Sequence, residues 1–200
     1  MLKSYFLQII ALSNSLSSLL PYNDKLEPRK LSNIQVVVIH CTELPDLKTA
    51  RVYGEKVHYD SGTGNSGHYY ISKQGQTHQW VKNNRIAHHV KDHNLNSIGI
   101  ELDNLGRYPN WHKTNAQIMH DKYTQIQINA LIELILSLKK QIPTLKYITG
   151  HEDLDTRLIK SDNDPEIFIR RKMDPGKLFP WDKVMKKITL INIGSLGKQL

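Results

Sequence analysis

Residues 34–39 form a nearly unbroken β-branched apolar run, Ile-Gln-Val-Val-Val-Ile. A run of this kind is typical of a strand that is buried on both faces, so it requires a sheet with other structure packed on either side. Residues 97–102 are a second apolar run, and residues 147–149 are a third and shorter one. These segments predict the buried strands of a sheet.

Helical segments alternate with these strands. Residues 124–141 carry apolar side chains at three- and four-residue steps, namely Ile128, Leu131, Ile132, Ile135 and Leu138. This spacing predicts a helix, with Thr124 as its N-cap. Residues 45–59 predict another helix, and residues 68–72 and 77–81 predict a β-hairpin. Strands that alternate with helices predict an α/β fold, in which a mixed central β-sheet is flanked by helices.

The chain length of 200 residues suits one domain with short appendages. We expect the domain to span residues 34–187, after an N-terminal segment of residues 1–33 and before a C-terminal tail of residues 188–200. Near the start, Lys3 precedes the apolar residues 5–12 and a serine-rich stretch. This pattern is typical both of a signal peptide and of an amphipathic helix packed on the domain, and the sequence favours neither. No stretch is long and apolar enough to predict a stable membrane span.

The charge balance narrows the range of partners. Lysine and arginine number 27 against 19 acidic residues, which gives a formal net charge of +8. This excess favours an anionic partner such as nucleic acid, anionic lipid or a cell-wall polymer. The chain has no basic run interleaved with aromatic residues and no helix-turn-helix or zinc-finger spacing, so we expect no nucleic-acid binding. The single cysteine, Cys41, excludes an intrachain disulfide and any four-cysteine metal site.

Two histidines occupy equivalent places at the ends of predicted strands. His40 ends the first strand, and His151 follows the strand at residues 147–149. A histidine at the rim of a sheet is commonly a structural polar residue, but two histidines and a carboxylate can also form a zinc site with an open fourth position. Asp174 is the candidate carboxylate, because the Pro-Gly pair that follows it favours a turn.

Glu101 is a carboxylate within an apolar strand. Strict alternation places it on the same face of the strand as Gly99. A buried carboxylate costs free energy unless it is paired or has a function. Taken alone, this placement favours a structural ion over a functional group.

Several segments, in order along residues 34–182, carry a resemblance to a known family. They are Val-Ile-His-Cys-Thr at 38–42, Ser-Gly-His-Tyr-Tyr-Ile at 66–71 with Gly75, Ala-His-His at 87–89, Asn94 with Ser-Ile-Gly-Ile-Glu at 97–101, and Gly-His at 150–151 with Arg-Lys-Met-Asp-Pro-Gly at 171–176 and Phe-Pro-Trp at 179–181. Each segment is a weak signal, but the ordered set is specific. It resembles the zinc-dependent N-acetylmuramoyl-L-alanine amidases, a bacterial amidase family related to peptidoglycan recognition proteins and phage amidase lysozymes.

The resemblance implies one zinc ion, bound by His40, His151 and Asp174. It also implies that Glu101 is the general base and that Lys172 is the basic residue beside the transition state. The implied reaction is hydrolysis of the amide bond between N-acetylmuramic acid and the L-alanine of the peptidoglycan stem peptide. The implied fold agrees with the mixed sheet predicted above.

Two further histidines, His68 and His89, match recurrent histidines of the family whose roles are structural or substrate-facing, and we take both as candidate substrate-binding residues. The alternative function is a non-catalytic peptidoglycan-binding module of the same fold, which lacks a zinc ligand; the complete set of candidate ligands favours the enzyme. The expected partners are peptidoglycan or muropeptide fragments, and the expected state is a monomer. The expected location is the periplasm or, after secretion, the cell envelope, with the cytoplasm as the alternative.

The chain departs from the family pattern at the rim of the site. The family usually joins its histidine and aspartate ligands by a shorter connection, whereas 22 residues separate His151 from Asp174 here. The polar centre of this insertion predicts a solvent-exposed loop. His88 stands at a position where the family often has tryptophan. This difference predicts that one wall of the site is more polar than in the family. Cys41 adjoins His40, but adjacent strand residues point to opposite faces, so we expect it to pack in the core rather than to bind metal.

Overall fold

The sheet forms where the sequence carries its apolar runs. The computed structural model describes residues 19–194. Its strands are Val36–Cys41 (β1), Tyr69–Ile71 (β2), Thr77–Gln79 (β3), Ser97–Leu102 (β4), Tyr147–Gly150 (β5), Leu158–Lys160 (β6), Phe168–Arg170 (β7) and Ile191–Asn192 (β8). Its α-helices are Leu47–Gly54 (α1), Gln125–Gln141 (α2), His151–Leu154 (α3) and Trp181–Met185 (α4). The alternatives of a signal peptide and a packed helix fall on residues 1–18, which lie outside the described residues.

Six strands form one mixed sheet in the order β3-β2-β4-β1-β5-β8. The β2–β3 pair is antiparallel and the other pairs are parallel. Strand β1 lies between β4 and β5 and is buried along its whole length, which explains its apolar run. Strands β6 and β7 form a separate antiparallel hairpin. The predicted α/β fold, a mixed central β-sheet flanked by helices, is confirmed.

Helix α2 covers one face of the sheet. Its apolar stripe consists of Ile128, Leu131, Ile135 and Leu138, all fully buried. This stripe belongs to the same core cluster as alternate residues of the central strands, among them Val37, Ile39, Ile98 and Ile100. Thr124 caps the helix as predicted, because its hydroxyl oxygen accepts a hydrogen bond from the backbone N–H of Gln127 at 3.2 Å. Among residues 19–194, no helix is long and apolar enough to cross a membrane.

The segment between β1 and β2 is less helical than expected. Helix α1 ends at Gly54 rather than near residue 59. Asp46 caps its start by accepting a hydrogen bond from the backbone N–H of Thr49 at 2.6 Å. The loop that follows supplies one wall of the cleft described below.

The packed domain extends beyond the expected limits of 34–187. Leu20, Tyr22 and Leu26 are only 2–3% exposed and belong to one core cluster with Trp80. At the other end, β8 pairs with β5 within the segment that was expected to be a tail. Isolated apolar residues in polar surroundings have no period, so the sequence pattern alone does not reveal these contacts.

The insertion at residues 152–173 forms a hairpin rather than an irregular loop. It contains the β6–β7 hairpin, whose side chains alternate: Ile169 is 8% exposed, whereas the neighbouring Phe168 is 56% exposed. The tip is anchored, because the Ser161 hydroxyl donates to the carbonyl of His112 at 2.9 Å. Most residues from 156 to 168 are nevertheless exposed, as the polar centre predicts, so the exposure is confirmed and the segment differs from the prediction only in forming a regular hairpin. Three-residue strands are too short to show a periodic signal.

Candidate active site

One row of side chains crosses the sheet near the carboxyl ends of its central strands. In the parallel register, His40 of β1 pairs with Glu101 of β4, and Glu101 pairs with Tyr70 of β2. Side chains alternate along a strand, so these residues lie on the face opposite to α2. Strand β5 ends one residue before His151. The register therefore brings both histidines and the glutamate to one place.

Three potential metal ligands converge beside this row. His40 Nδ1 lies 3.0 Å from His151 Nδ1 and 3.1 Å from Asp174 Oδ2, and His151 Nδ1 lies 3.0 Å from the same oxygen. All three residues are buried. Two imidazole nitrogens that face each other can share only one proton, and within the described part of the chain the buried Asp174 Oδ1 has no hydrogen-bond partner. A cation among these atoms would bind one atom from each of the three side chains, so the residues present fit a metal ion.

The electrostatic environment favours the metal-binding forms of the ligands. Burial, and then the neighbouring His151, lower the pKa of His40 to about 4, so its imidazole is neutral at pH 7. Burial opposes ionisation of Asp174, but the neighbouring His151 holds the pKa of this carboxyl well below its usual range. Metal ligands bind in their deprotonated forms. Two imidazoles and one carboxylate are a donor set that binds zinc and leaves a fourth position open.

The loop that carries Asp174 is fixed against the end of β5. The backbone N–H of Glu152 donates to the carbonyl of Asp174 at 2.8 Å, and the Tyr123 hydroxyl donates to the carbonyl of Pro175 at 2.7 Å. Gly150 permits this approach, because a Cβ atom at its position would lie 2.9 Å from Pro175 Cδ. These contacts place the aspartate beside the histidines although a long insertion precedes it.

Glu101 reaches into the same space from β4. Its Oε1 lies 3.9 Å from His40 Nδ1, and Gly67 leaves room for it, since a Cβ atom there would lie 2.9 Å from Glu101 Cγ. Burial, and then the charge of Asp174, raise the pKa of Glu101 to about 8, whereas the positive charge of Lys172 acts against this shift. A group with a pKa close to the working pH suits the acceptance and return of a proton.

The side chains of this row line a cleft of about 610 Å³. Lys172 lines this cleft together with Arg157 and Arg171, so three cations from the insertion border the site. No pattern in the sequence indicates a role for Arg157, which lies outside every family segment. His88 also lines the cleft, where its ring meets that of Tyr59 edge to face with centroids 4.9 Å apart. This placement agrees with the more polar wall that His88 predicts.

His89 contacts a candidate metal ligand directly. Its Nδ1 lies 3.0 Å from His40 Nε2, and its Nε2 lies 3.2 Å from Ser97 Oγ. The Ser97 hydroxyl donates to the carbonyl of His93 at 2.6 Å. It therefore accepts from His89 Nε2–H, which leaves His89 Nδ1 to accept from His40 Nε2–H. Gly99 provides the space, because a Cβ atom there would lie 2.6 Å from the His89 ring. This chain of hydrogen bonds directs the unprotonated Nδ1 of His40 at the other ligands.

His68 lies behind the row and is fully buried. Its Nδ1 accepts a hydrogen bond from the backbone N–H of Gly99 at 3.1 Å, and its Nε2 lies 2.7 Å from Arg29 Nη2. A side chain without exposed surface cannot touch a substrate, so a structural role replaces the predicted substrate contact. Cys41 is also buried, as predicted, and burial raises the pKa of its thiol.

Comparisons with known proteins agree with this geometry. Residues 30–177 match the family model described as N-acetylmuramoyl-L-alanine amidase. A comparison with curated proteins gave no significant match. Among solved structures, the chain is similar to AmiD from E. coli in complex with the substrate anhydro-N-acetylmuramic acid-L-Ala-D-gamma-Glu-L-Lys, with 25% sequence identity and a TM-score of 0.59. The similarity covers 78% of this chain and 57% of the AmiD chain, so the chain spans little more than half of that relative's length.

Two further solved structures share the fold. A selenomethionine derivative of AmpD has 19% identity and a TM-score of 0.63, over 89% of this chain and 96% of AmpD. The ectodomain complex of the peptidoglycan recognition proteins LCa and LCx with tracheal cytotoxin has 20% identity and a TM-score of 0.54, over 83% of this chain and 88% of that one. At these identities the likeness shows the fold alone, which is the mixed sheet flanked by helices that the sequence predicts.

Proposed function

Because this chain belongs to the N-acetylmuramoyl-L-alanine amidase family, we propose that it is a zinc-dependent enzyme that hydrolyses the amide bond between N-acetylmuramic acid and the L-alanine of the peptidoglycan stem peptide. The observation that carries the proposal is the convergence of His40, His151 and Asp174 in one buried group. Glu101 and Lys172 border the same cleft. The muropeptide in the AmiD structure supports the substrate class, and the net charge of +8 suits an anionic polymer.

One zinc ion would be held by His40 Nδ1, His151 Nδ1 and Asp174 Oδ2. When bound, zinc supplies Lewis-acid polarisation of the scissile carbonyl and lowers the pKa of a water to about 7. The protein holds the three ligand atoms within 3.1 Å of one another and shields them from bulk water. His89 keeps His40 in the tautomer that leaves Nδ1 free to bind.

Glu101 moves the proton in this reaction. Its carboxylate accepts a proton from the attacking water and returns it to the departing amine of L-alanine. Nearby positive charge, from Lys172 and from a bound dication, favours the carboxylate form against the burial that disfavours it. Lys172 donates a hydrogen bond to the oxyanion of the tetrahedral intermediate, and a donor of this kind is typically worth roughly 10²–10³ in rate.

The alternative is a non-catalytic peptidoglycan-binding module of the same fold. The presence of all three ligands together with Glu101 and Lys172 favours the enzyme. We propose that it acts as a monomer, in the periplasm or secreted to the cell envelope if its substrate is intact peptidoglycan, and in the cytoplasm if its substrate is a released muropeptide. N-terminal sequencing of the protein from its native cell distinguishes export, which gives a start near residue 20, from an intact Met1.

Product analysis tests the proposed reaction. The protein is incubated with anhydro-N-acetylmuramic acid-L-Ala-D-γ-Glu-L-Lys and, separately, with intact peptidoglycan, and the products are identified by mass spectrometry. We expect one water to be added at the lactyl amide, which releases a peptide with L-alanine at its amino end. A His151→Ala protein serves as the inactive control. Binding without cleavage would support the non-catalytic module, and cleavage at another bond would contradict the proposed specificity.

His89→Gln is expected to weaken zinc binding roughly 10–100-fold, the usual effect of losing a residue that orients a metal ligand. The reason is that His89 holds His40 in one tautomer through its Nδ1. Competition with a chromogenic chelator measures the zinc affinity without any turnover. The matched control is His88→Gln, which changes the adjacent histidine and leaves the contact to His40 intact. An unchanged zinc affinity in folded His89→Gln protein would contradict this role.

Shortening the hairpin in the insertion is expected to preserve zinc binding. Lys160 and Phe168 face each other across β6 and β7, so an Asn-Gly turn can replace residues 161–167. The loop that carries Asp174 is held by hydrogen bonds from Glu152 and Tyr123, which lie outside the hairpin tip. We expect one zinc per chain and an altered ratio of kcat/KM for intact peptidoglycan and muropeptide. Loss of zinc from the folded protein would show that the tip supports the metal site.

A further inference from the structure

A buried ion pair lies beside the cleft and has no part in the mechanism above. Arg107 Nε lies 2.7 Å from Glu43 Oε1, and its Nη2 lies 2.9 Å from Oε2, so the guanidinium binds both carboxylate oxygens. The side chains are 1% and 8% exposed. The desolvation of a buried ion pair can cost as much free energy as the attraction contributes, so stability alone does not account for it.

The remaining hydrogen bonds of Arg107 hold the chain next to Lys172. Its Nη1 donates to the carbonyl of Arg170 at 3.1 Å, and its Nη2 donates to the carbonyl of Arg171 at 3.1 Å. Nη1 also donates to Gln117 Oε1 at 3.1 Å. The two carbonyls belong to the residues immediately before Lys172, where β7 ends. One buried side chain therefore fixes the backbone from which the cleft lysine projects.

Glu43 connects this contact to the end of β1. It lies three residues after His40, and the Trp111 indole N–H donates to its carbonyl at 2.9 Å. The φ angle of Glu43 is +48°, which is uncommon for a residue other than glycine. Gly106 leaves room for it, because a Cβ atom there would lie 2.6 Å from Glu43 Cγ. An unfavourable backbone angle held in place by its surroundings is commonly found where geometry matters for function.

We propose that Arg107, held by Glu43, is a positioning residue that fixes the backbone at residues 170–171 and thereby keeps Lys172 in the cleft. This inference rests on the proposed amidase activity and adds to it a residue that touches neither substrate nor metal. Arginine suits the role, because one rigid guanidinium binds the carboxylate and the two carbonyls at once. The flexible stem of Lys172 makes the placement of its backbone decisive for the position of its ammonium group.

The test is a double-mutant cycle on muropeptide hydrolysis. Arg107→Lys keeps a positive charge beside Glu43 but cannot reach both carbonyls, so we expect kcat to fall roughly 10–100-fold, the scale of a small misplacement of a reacting group. Zinc content and KM should remain at their wild-type values. In a Lys172→Ala background the same substitution should change kcat less than about twofold, because no ammonium is left to position. Arg85→Lys is the matched control, since Arg85 also donates to a backbone carbonyl, that of Leu26 at 3.0 Å, away from the cleft.

Equal losses in the two backgrounds would overturn the inference, and so would wild-type kcat in folded Arg107→Lys protein. If Arg107→Lys does not fold, Glu43→Gln provides the same comparison, because it weakens the pair while keeping the shape of the side chain. Failure of both variants to fold would assign the pair a purely structural role and overturn the inference. Absence of turnover in the wild-type protein would instead refute the proposed function, so the two failures are distinguishable.

Discussion

Replacing Glu101 with glutamine should lower kcat by roughly 10²–10⁴, the contribution that a general acid–base group usually makes. Glutamine keeps the shape of the side chain but cannot accept and return a proton. Zinc and muropeptide should still bind, because Glu101 is not one of the three converging ligands and its Oε1 lies 3.9 Å from His40 Nδ1. Glu133→Gln, on the exposed side of α2, is the control and should leave kcat unchanged.

The stability of Glu101→Gln distinguishes two roles for Glu101, namely proton transfer and a structural ion pair. Across residues 19–194, the Glu101 carboxylate accepts no hydrogen bond, and burial raises its pKa to about 8. The charged form is therefore costly, and we expect the Tm of Glu101→Gln to stay the same or to rise. If Glu101 were a structural ion, the variant would show the reverse. Its free energy of unfolding would fall by about 3–5 kcal/mol, and its activity per folded molecule would be retained. Measuring kcat and Tm on one preparation decides between them, and a stable, fully active variant would refute both roles.

The second large effect is expected at Asp174. Asparagine keeps the size of the side chain and one oxygen but removes the negative charge, so zinc affinity should fall by more than the roughly 10–100-fold that an orienting residue supplies. Hydrolysis at limiting zinc should be lost with it. Equilibrium dialysis of Asp174→Asn, with the exposed Asp162→Asn at the hairpin tip as the control, measures the effect. Wild-type zinc affinity in both the Asp174→Asn protein and the Asp162→Asn control would contradict the ligand assignment.

The elements that the sequence predicts are those whose pattern is long enough to show a period. Strand β4 has its predicted limits of Ser97–Leu102, and α2 follows its predicted cap, Thr124. Strand β1 continues two residues beyond its apolar run, because His40 and Cys41 still pair with β4. The strands of the β6–β7 hairpin and β8 have two or three residues each, so they depend on tertiary partners that no local pattern records.

The candidate site likewise has one part that the sequence predicts and another that only the fold reveals. The candidate ligand set could be predicted because its segments occur in the order of a known family, and the register of β1 and β4 explains why His40 and Glu101 meet. Contacts between distant segments could not be predicted. Glu43 and Arg107 are 64 residues apart in the sequence, and only the fold shows that they form a pair. The contact of His89 with His40 likewise depends on the strand register and on the space that a neighbouring glycine leaves.

Zinc content and turnover, measured together, test the central claim most directly. Purified protein is stripped with a chelator, shown to be folded, and reconstituted with increasing zinc while muropeptide hydrolysis is followed. If His40, His151 and Asp174 hold one catalytic zinc, turnover will be absent from the stripped protein, rise in proportion to bound zinc, and level off at one zinc per chain. Full turnover in the stripped protein, or a folded chain that binds no zinc, would contradict the claim.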